Sequence, residues 1–404
     1  MNSTKTYDNG IAIAKAFGII FVVLSHCCAI PWRGGDSVWQ DFLCRYVSLF
    51  HMPLFYFLSG YFFKFSYIYS KKIFVKKKID GLWKPYVKWG LLFVLLHNVF
   101  SFCGLYGDHC GSTPGPYSIT DTLYNCGMVL IMRGGDQLIG GFWFIIVLFR
   151  SAILALLTLW SVKAVLDLAL IYAKELKDKY PLFIKPISWI CIVTGGYSDG
   201  EVNDSSRYEL RISFISLAML SVAAITLMNW QGMPTLGRYL LAAAIFLVGF
   251  LTSQITISTG VLWKVGFVVV GLALGLCIPM YYHTQYNTWG AFRMLVFGSI
   301  STWTWVIISR AIEQRGGVVS NFLIYVGKNT MIVLALHFLC FKIVNALKIW
   351  YYGLPTSQLG SFPLIANDPS GNNVVWFLLY IIVGVGLPIG IKALYDRSRF
   401  AGKL

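Results

Sequence analysis

Apolar stretches of about 18–25 residues, the length that crosses a hydrocarbon core as a helix, recur along the whole chain between short polar or basic segments. Ten of them read as membrane spans, near residues 11–31, 46–64, 85–105, 138–160, 211–229, 239–254, 258–280, 289–309, 321–346 and 373–393. The sixth is short, and the pattern of the fourth continues as a helix from Lys163 to Lys179. The expected fold is an all-α integral membrane protein of about ten transmembrane helices, forming one polytopic domain over residues 1–404. At the start of the chain Lys5 and Lys15 precede an apolar run, but Ser25 and His26 interrupt it and no clean small-residue cleavage site follows. The first segment is therefore expected to be retained as a span and not removed as a signal peptide.

Charge sets an expected orientation. With the first residues inside and ten spans, twenty-four of the thirty-three Lys and Arg fall on inner segments and six on outer ones, while Lys15, Arg150 and Lys342 lie within spans. Positive residues accumulate on the cytoplasmic side of membrane proteins, so both termini are expected to be cytoplasmic. Two hydrophilic segments are large. Residues 106–137, outside in this arrangement, are rich in Gly, Pro, Ser and Asp and read as a loop over an outer vestibule. Residues 174–210, inside, mix charges with an apolar patch from Pro181 to Ile192 that suits the membrane surface.

Composition agrees: 57% of residues are hydrophobic and 12% charged, against roughly 25% charged in soluble domains. That balance excludes a soluble enzyme or a disordered tail. The net charge of +16 raises nucleic acid as a partner, but the cations cluster between apolar runs as topology-setting charges do, so the bilayer is the expected partner and nucleic acid is not. The nine cysteines show no CxxC pairing, which a zinc site would need, and no metal is expected. Cys103, Cys110 and Cys126, in or beside the 106–137 loop, are read equally well as disulfide partners and as free thiols.

Ionisable groups at membrane depth are costly and mark function. Lys15 and His26 are eleven residues apart, about 1100° of helical rotation, so they share a face to within roughly 20° and are separated by roughly 16 Å along the axis. His51 lies in the outer half of the second span and His337 past the middle of the ninth, so three of the six histidines are expected at similar depth. A buried imidazole suits a general base, although any one of them also reads as a hydrogen-bonded packing residue. Lys76, Lys77, Lys78 and Lys84 precede Pro85 at the inner interface, where topology alone and a polyphosphate ligand account for them equally well. Cys27 and Cys28, beside His26, read as packing residues, since neighbours on a helix point different ways.

Five segments carry a resemblance. Ile13 to His26 (IAKAFGIIFVVLSH) holds Lys15 and His26 in a Lys-x10-His pattern; Phe50 to Phe63 (FHMPLFYFLSGYFF) contains a Ser-Gly step at Ser59 and Gly60; Val75 to Trp89 (VKKKIDGLWKPYVKW) pairs a basic stretch with Pro85-Tyr86. Gly140 to Phe149 (GGFWFIIVLF) has a Trp-Phe step at Trp143, and Gly327 to His337 (GKNTMIVLALH) ends in histidine. In this order the chain resembles the membrane-bound acyltransferase-3 family of bacterial O-acyltransferases, particularly its fucose O-acetylase-like branch. Two departures stand out. Ala12 occupies a position where the family often has Asp, and Lys15 and the Lys77 region stand where many members carry Arg, which keeps the charge without the bidentate fork.

The resemblance implies an acyl-CoA donor, most often acetyl-CoA, taken from the cytoplasm, and a hydroxyl of a cell-surface or lipid-linked glycan as acceptor, in a bacterial inner (cytoplasmic) membrane. The catalytic residues it implies are His26 as general base with Lys15, His337 and Ser59. The coenzyme would lie on Lys76, Lys77, Lys78, Lys84 and Tyr86, and the substrate on His51, Tyr61, Trp143 and Asn329. Ser59, Tyr61, Asn329 and His337 are the candidates for stabilising an oxyanion. A covalent acyl-histidine relay competes with direct transfer. The reading from a different class is a non-catalytic exporter or flippase of a glycan or lipid-linked sugar, which explains the spans and buried histidines without the Lys15–His26 alignment.

Overall fold

A computed structural model of the chain describes residues 8–30, 38–107, 115–179, 205–228, 234–254, 261–277, 288–366 and 373–401. Among these residues there are thirteen α-helices and no strand. They are α1 (Asn9–Cys27), α2 (Val38–Tyr61), α3 (Lys71–Lys78), α4 (Lys84–Phe102), α5 (Ile119–Leu130), α6 (Trp143–Lys179) and α7 (Ser205–Met228), followed by α8 (Pro234–Gln254), α9 (Val261–Cys277), α10 (Thr288–Arg315), α11 (Gly317–Lys328), α12 (Thr330–Tyr352) and α13 (Val374–Ala401). Seven segments are long and apolar enough to cross a membrane: α1, residues 137–172, α7, α8, α10, α12 and α13. Of the other expected spans, α9 has only 17 residues, α2 carries Asp41 and Arg45, and α4 opens on Lys84 and Lys88.

The centre of the molecule is α1. The side chain of Asp8 caps it, accepting from the Ile11 amide at 3.0 Å, and Ala12, Ala14, Ala16 and Gly18 are all buried. Small residues let helices approach closely where lipid supplies no hydrophobic driving force, and α1 is packed against α2, α10, α11, α12 and α13. Two glycine contacts fix the frame. A Cβ at Gly60 of α2 would stand 1.8 Å from the Phe246 carbonyl of α8, and one at Gly249 of α8 would stand 2.0 Å from the Phe57 carbonyl of α2, so these helices meet backbone to backbone.

The structure changes the reading of the 106–137 segment. Its centre is the helix α5, started by a capping box in which Ser118 Oγ accepts from the Asp121 amide at 3.1 Å and Asp121 accepts from the Ser118 amide at 3.0 Å. The backbone of Tyr117 is held at Asn98, the Trp83 indole donates to the Leu130 carbonyl at 3.0 Å, and Val129 lies against Gly90. Thus α5 runs back along α4 from its far end to its start and does not lie over the bundle as a loop. The return is anchored by a buried pair, His97 Nδ1 and Asp136 Oδ2 at 2.8 Å, to which the Tyr106 hydroxyl also donates at 2.6 Å. Cys103 and Cys126 are free thiols; Cys110 lies outside the described residues.

Two more departures bear on the site. The ninth expected span is broken at Asn329 into α11 and α12. Asn329 is non-helical and its side chain donates to the Tyr325 carbonyl at 2.9 Å, the local competition with the helix ladder that short amides offer. Between α3 and α4, residues 79–83 form a widened π-type turn. Pro85 lacks the N–H that would bond the Gly81 carbonyl and its ring crowds that position, so the helix widens there instead of ending. As for the 174–210 segment, α6 continues to Lys179 as one helix of 37 residues, about 55 Å, longer than a hydrocarbon core; residues 180–204, with the Pro181–Ile192 patch, lie outside the described residues.

Cys28, read above as a packing residue, is bonded to Cys44 and ties the end of α1 to α2. A cross-link across 16 residues is worth about 2–4 kcal/mol. Reduction is expected to unmask two thiols to alkylation and to lower the melting temperature in detergent, and Cys28→Ser is expected to reproduce the lower value. An unchanged thiol count after reduction would refute the bond.

Candidate functional site

The Lys15–His26 stripe opens onto a cavity of about 380 Å³. Lys15, Lys77, Lys78 and Lys328 line one end, Phe55, Leu58, Phe144, Ile145 and Leu148 form its wall, and Val22 and Leu334 stand at the other end. Val22 is one helical turn before His26, and Leu334 is three residues before His337. The sequence's alignment therefore points into real space: cations at the mouth, apolar walls, and histidines just beyond the far end.

There the two imidazoles face each other, His26 and His337 stacking with ring centroids 5.3 Å apart. Phe338 packs on both, at 4.7 Å from His26 and 4.0 Å from His337. The Nε2 atoms of both rings are buried and have no hydrogen-bond partner among the described residues. His337 Nδ1 lies 3.1 Å from the Val333 carbonyl and 3.0 Å from that of Leu334. A carbonyl only accepts, so Nδ1 carries the proton and the Nε2 of the neutral ring presents a lone pair. That tautomer suits His337 to accept a proton or hydrogen bond, and it does not supply an oxyanion donor as the sequence reading expected.

The Gly140–Gly141 step of the Trp-Phe motif closes against this pair. A Cβ at Gly141 would be 3.4 Å from the His337 ring, and one at Gly140 3.2 Å from Phe362. Asp136 positions the step by accepting from the Leu138 amide at 2.8 Å.

The other expected site residues separate into groups. Ser59 lines the cavity at its cationic end, where Lys78 donates to it at 2.5 Å, many residues along the bundle from His26. Lys77 donates to the Tyr67 hydroxyl. Lys76 and Lys84 do not line the cavity; Lys84 is exposed and pairs with Asp80 at 2.6 Å. Tyr86 is buried, with its hydroxyl donating to the Gly134 carbonyl, so it holds the turn after α5. The Tyr61 hydroxyl accepts from Arg310 at 3.2 Å, beside Asp8 at the start of α1. Asn329 forms the helix break, and its neighbours Lys328 and Thr330 line the cavity in its place.

His51 is not part of the imidazole pair. Contact of Phe21 with Phe50, centroids 5.3 Å apart, places His51 nearer the Lys15 end of α1 than His26. Its Nδ1 donates to the Val47 carbonyl at 2.7 Å. It lines a separate cavity of about 80 Å³ with Tyr56, Trp143 and Arg238, so the structure joins His51 to Trp143, while His51 stays near enough to His26 to act on it electrostatically.

Lys328 is the cavity cation that sequence reasoning missed. Its signal was present in the Gly327–His337 segment, where it precedes the break.

A family model described as an acyltransferase domain matches residues 8–393. The chain belongs to this acyltransferase family. The match takes in α1 and α12 and therefore both members of the imidazole pair. With seven helices among the described residues long and apolar enough to cross a membrane, this family member is a multi-pass membrane protein. The nodulation protein NolL of Mesorhizobium japonicum is 27% identical over 207 residues, 46% of this chain and 50% of that protein. The acyltransferase-family chain thus spans about half the length of this curated relative. No solved structure matches it.

Proposed function

We propose that this protein is a membrane O-acyltransferase, most simply an O-acetyltransferase, that moves an acyl group from cytoplasmic acyl-CoA to a hydroxyl of a cell-surface or lipid-linked glycan. One observation carries the reading: a cavity runs from four lysines to within a turn of two imidazoles whose Nε2 atoms are buried and unengaged. The diphosphate sits on Lys15, Lys77, Lys78 and Lys328, aided by the start of α12, whose first amides carry partial positive charge. The pantetheine arm lies along Ile19 and Val22, a path comparable in length with the roughly 16 Å from Lys15 to His26.

The acceptor hydroxyl attacks the thioester carbonyl while His26 takes its proton as general base. The carbon–sulfur bond then breaks, and the imidazolium returns that proton to the departing thiolate, leaving an ester and free coenzyme. His337 accepts a hydrogen bond from the acceptor and orients it.

In this reading the protein has ten spans and sits in a bacterial inner membrane with both termini in the cytoplasm. Support comes from the lysine-rich mouth, which belongs on the positive side, and from the Cys28–Cys44 bond near the other end of α1, which suits an oxidising compartment.

The test is calorimetric binding of acetyl-CoA to detergent-purified protein, with free thiol release on adding pooled glycans. Binding with glycan-dependent release is expected. A folded protein that binds no acetyl-CoA yet moves a glycan across vesicles would establish the exporter instead.

Binding should also depend on pH. Burial, and to a lesser degree the Lys15 charge, lowers the Lys78 ammonium to about 8. Lys78 is charged below that value and neutral above it. Acetyl-CoA affinity is therefore expected to fall as pH rises through about 8, with proton uptake on binding above it. Lys78→Met should flatten this profile, and an unaltered profile in the variant would remove Lys78 from the phosphate site.

A further inference from the structure

A second cavity, of about 280 Å³, lies at the start of α3, at the opposite end of that helix from Lys78 of the lysine mouth, and its lining includes Ile68, Tyr69, Lys71, Trp160, Lys163 and Asp167. We propose that it holds the adenosine 3′-phosphate end of the coenzyme, an inference that rests on the acyl-CoA reading above.

The chemistry of the lining fits a phosphorylated nucleoside. Trp160 is 43% exposed and Tyr69 70% exposed, which offers two aromatic faces to a flat base. Lys71 Nζ lies 3.7 Å from the centroid of the Trp160 indole, and the Lys163 ammonium lies 5.3 Å from the Tyr69 ring. The acidic member of the lining is already occupied: Asp167 accepts from Lys163 on one oxygen and from the Tyr208 hydroxyl at 2.5 Å on the other. The Lys163–Asp167 pair is balanced within itself, so the cavity presents the Lys71 ammonium and ring faces without a bare carboxylate, as a phosphate requires.

Position is the independent argument. Lys71 and Lys78 are seven residues apart on α3, two turns and roughly 10 Å, on one face of that helix. Lys78 belongs to the first cavity and Lys71 to the second, so α3 spans the two like a ruler. Coenzyme A is built in the order thioester, pantetheine, diphosphate, adenosine 3′-phosphate. The protein repeats that order as His26 and His337, then Ile19 and Val22, then Lys15, Lys77 and Lys78, then Lys71 with Trp160. A diphosphate at Lys78 leaves its nucleoside about one nucleoside's length away, toward Trp160.

The test compares three probes on the detergent-purified full chain by calorimetry: acetyl-CoA, acetyl-dephospho-CoA, which lacks the 3′-phosphate, and acetyl-4′-phosphopantetheine, which lacks the nucleoside. Wild type is expected to prefer acetyl-CoA over the dephospho form about tenfold, the effect of one charge-assisted contact. Lys71→Gln is expected to erase that preference while binding the dephospho form normally, which also reports that it is folded. Trp160→Leu is expected to weaken both nucleoside-bearing probes and leave the phosphopantetheine probe unchanged. Equal binding of the first two probes by wild type, or a preference that survives in Lys71→Gln, overturns the assignment. So does loss of acetyl-CoA binding on adding phosphatidylglycerol to the micelles when the 3′-phosphate makes no difference, since that gives the cavity to a lipid headgroup. Failure of the acyl-CoA reading itself looks different, because none of the three probes then binds.

Discussion

His26→Ala is expected to lower glycan-dependent thiol release by about 10²–10⁴-fold, the usual contribution of a positioned general base, with acetyl-CoA binding retained. The expectation follows from the unengaged Nε2 of His26 just beyond the far end of the cavity, opposite that of His337. Removing the ring leaves a space beside Phe338 and disturbs no hydrogen bond among the described residues, so the variant should accumulate normally. The comparison with His337→Ala separates roles. If His337 orients the acceptor, its loss should raise the glycan concentration needed for half-maximal rate more than it lowers the maximal rate. An acyl-histidine relay through His26 would instead appear as labelled protein after mixing with radioactive acetyl-CoA without glycan. Full transfer by a well-folded His26→Ala variant would end its assignment as the base.

The second large effect is structural and reaches the site through α1. Gly327→Val is expected to abolish transfer and to lower the melting temperature markedly, or to prevent recovery of monodisperse protein. A Cβ at residue 327 would lie 1.8 Å from the carbonyl oxygen of Ala12. That obstacle is backbone, so no side-chain rotation relieves it, and overpacking of this kind costs typically about 1–3 kcal/mol, occasionally more. Ala12 stands on the same helix as Lys15 and His26, so a displaced α1 misplaces both ends of the cavity together. Gly386→Ala is the control: nothing lies within 4 Å of a Cβ there, and both stability and transfer should be unchanged. A Gly327→Val protein with normal melting and rate would show that α1 and α11 do not meet as described.

The site was partly legible before any tertiary structure. The Lys15–His26 spacing is a property of one helix, with rise and rotation set by backbone geometry, and it led directly to the axis of the cavity. The Gly327–His337 segment was legible for the same reason. Depth counted along a span located His337 close enough to His26 for the two rings to meet. The same counting put His51 near the pair, where it acts on His26 electrostatically, but which cavity its side chain lines is set by packing between antiparallel helices, and that joins it to Trp143. It also grouped Lys76 with Lys77 and Lys78, although neighbours on a helix diverge and only Lys77 and Lys78 reach the cavity.

What the sequence determined alone is therefore whatever a single helix carries: apolar lengths fit for a bilayer, the stripe joining a cation to an imidazole, and the concentration of lysine at one interface. Tertiary structure decided which of those groups share a space. It set Ser59, Tyr61 and Asn329 at the end away from the imidazole pair, bonded Cys28 to Cys44, brought Lys328 to the cavity mouth, and laid α5 back along α4. Each of these depends on how closely two backbones approach or where a helix breaks. Glycine contacts such as Gly327 on Ala12 and the interruption at Asn329 settle those distances, and they act between segments that no local periodicity connects.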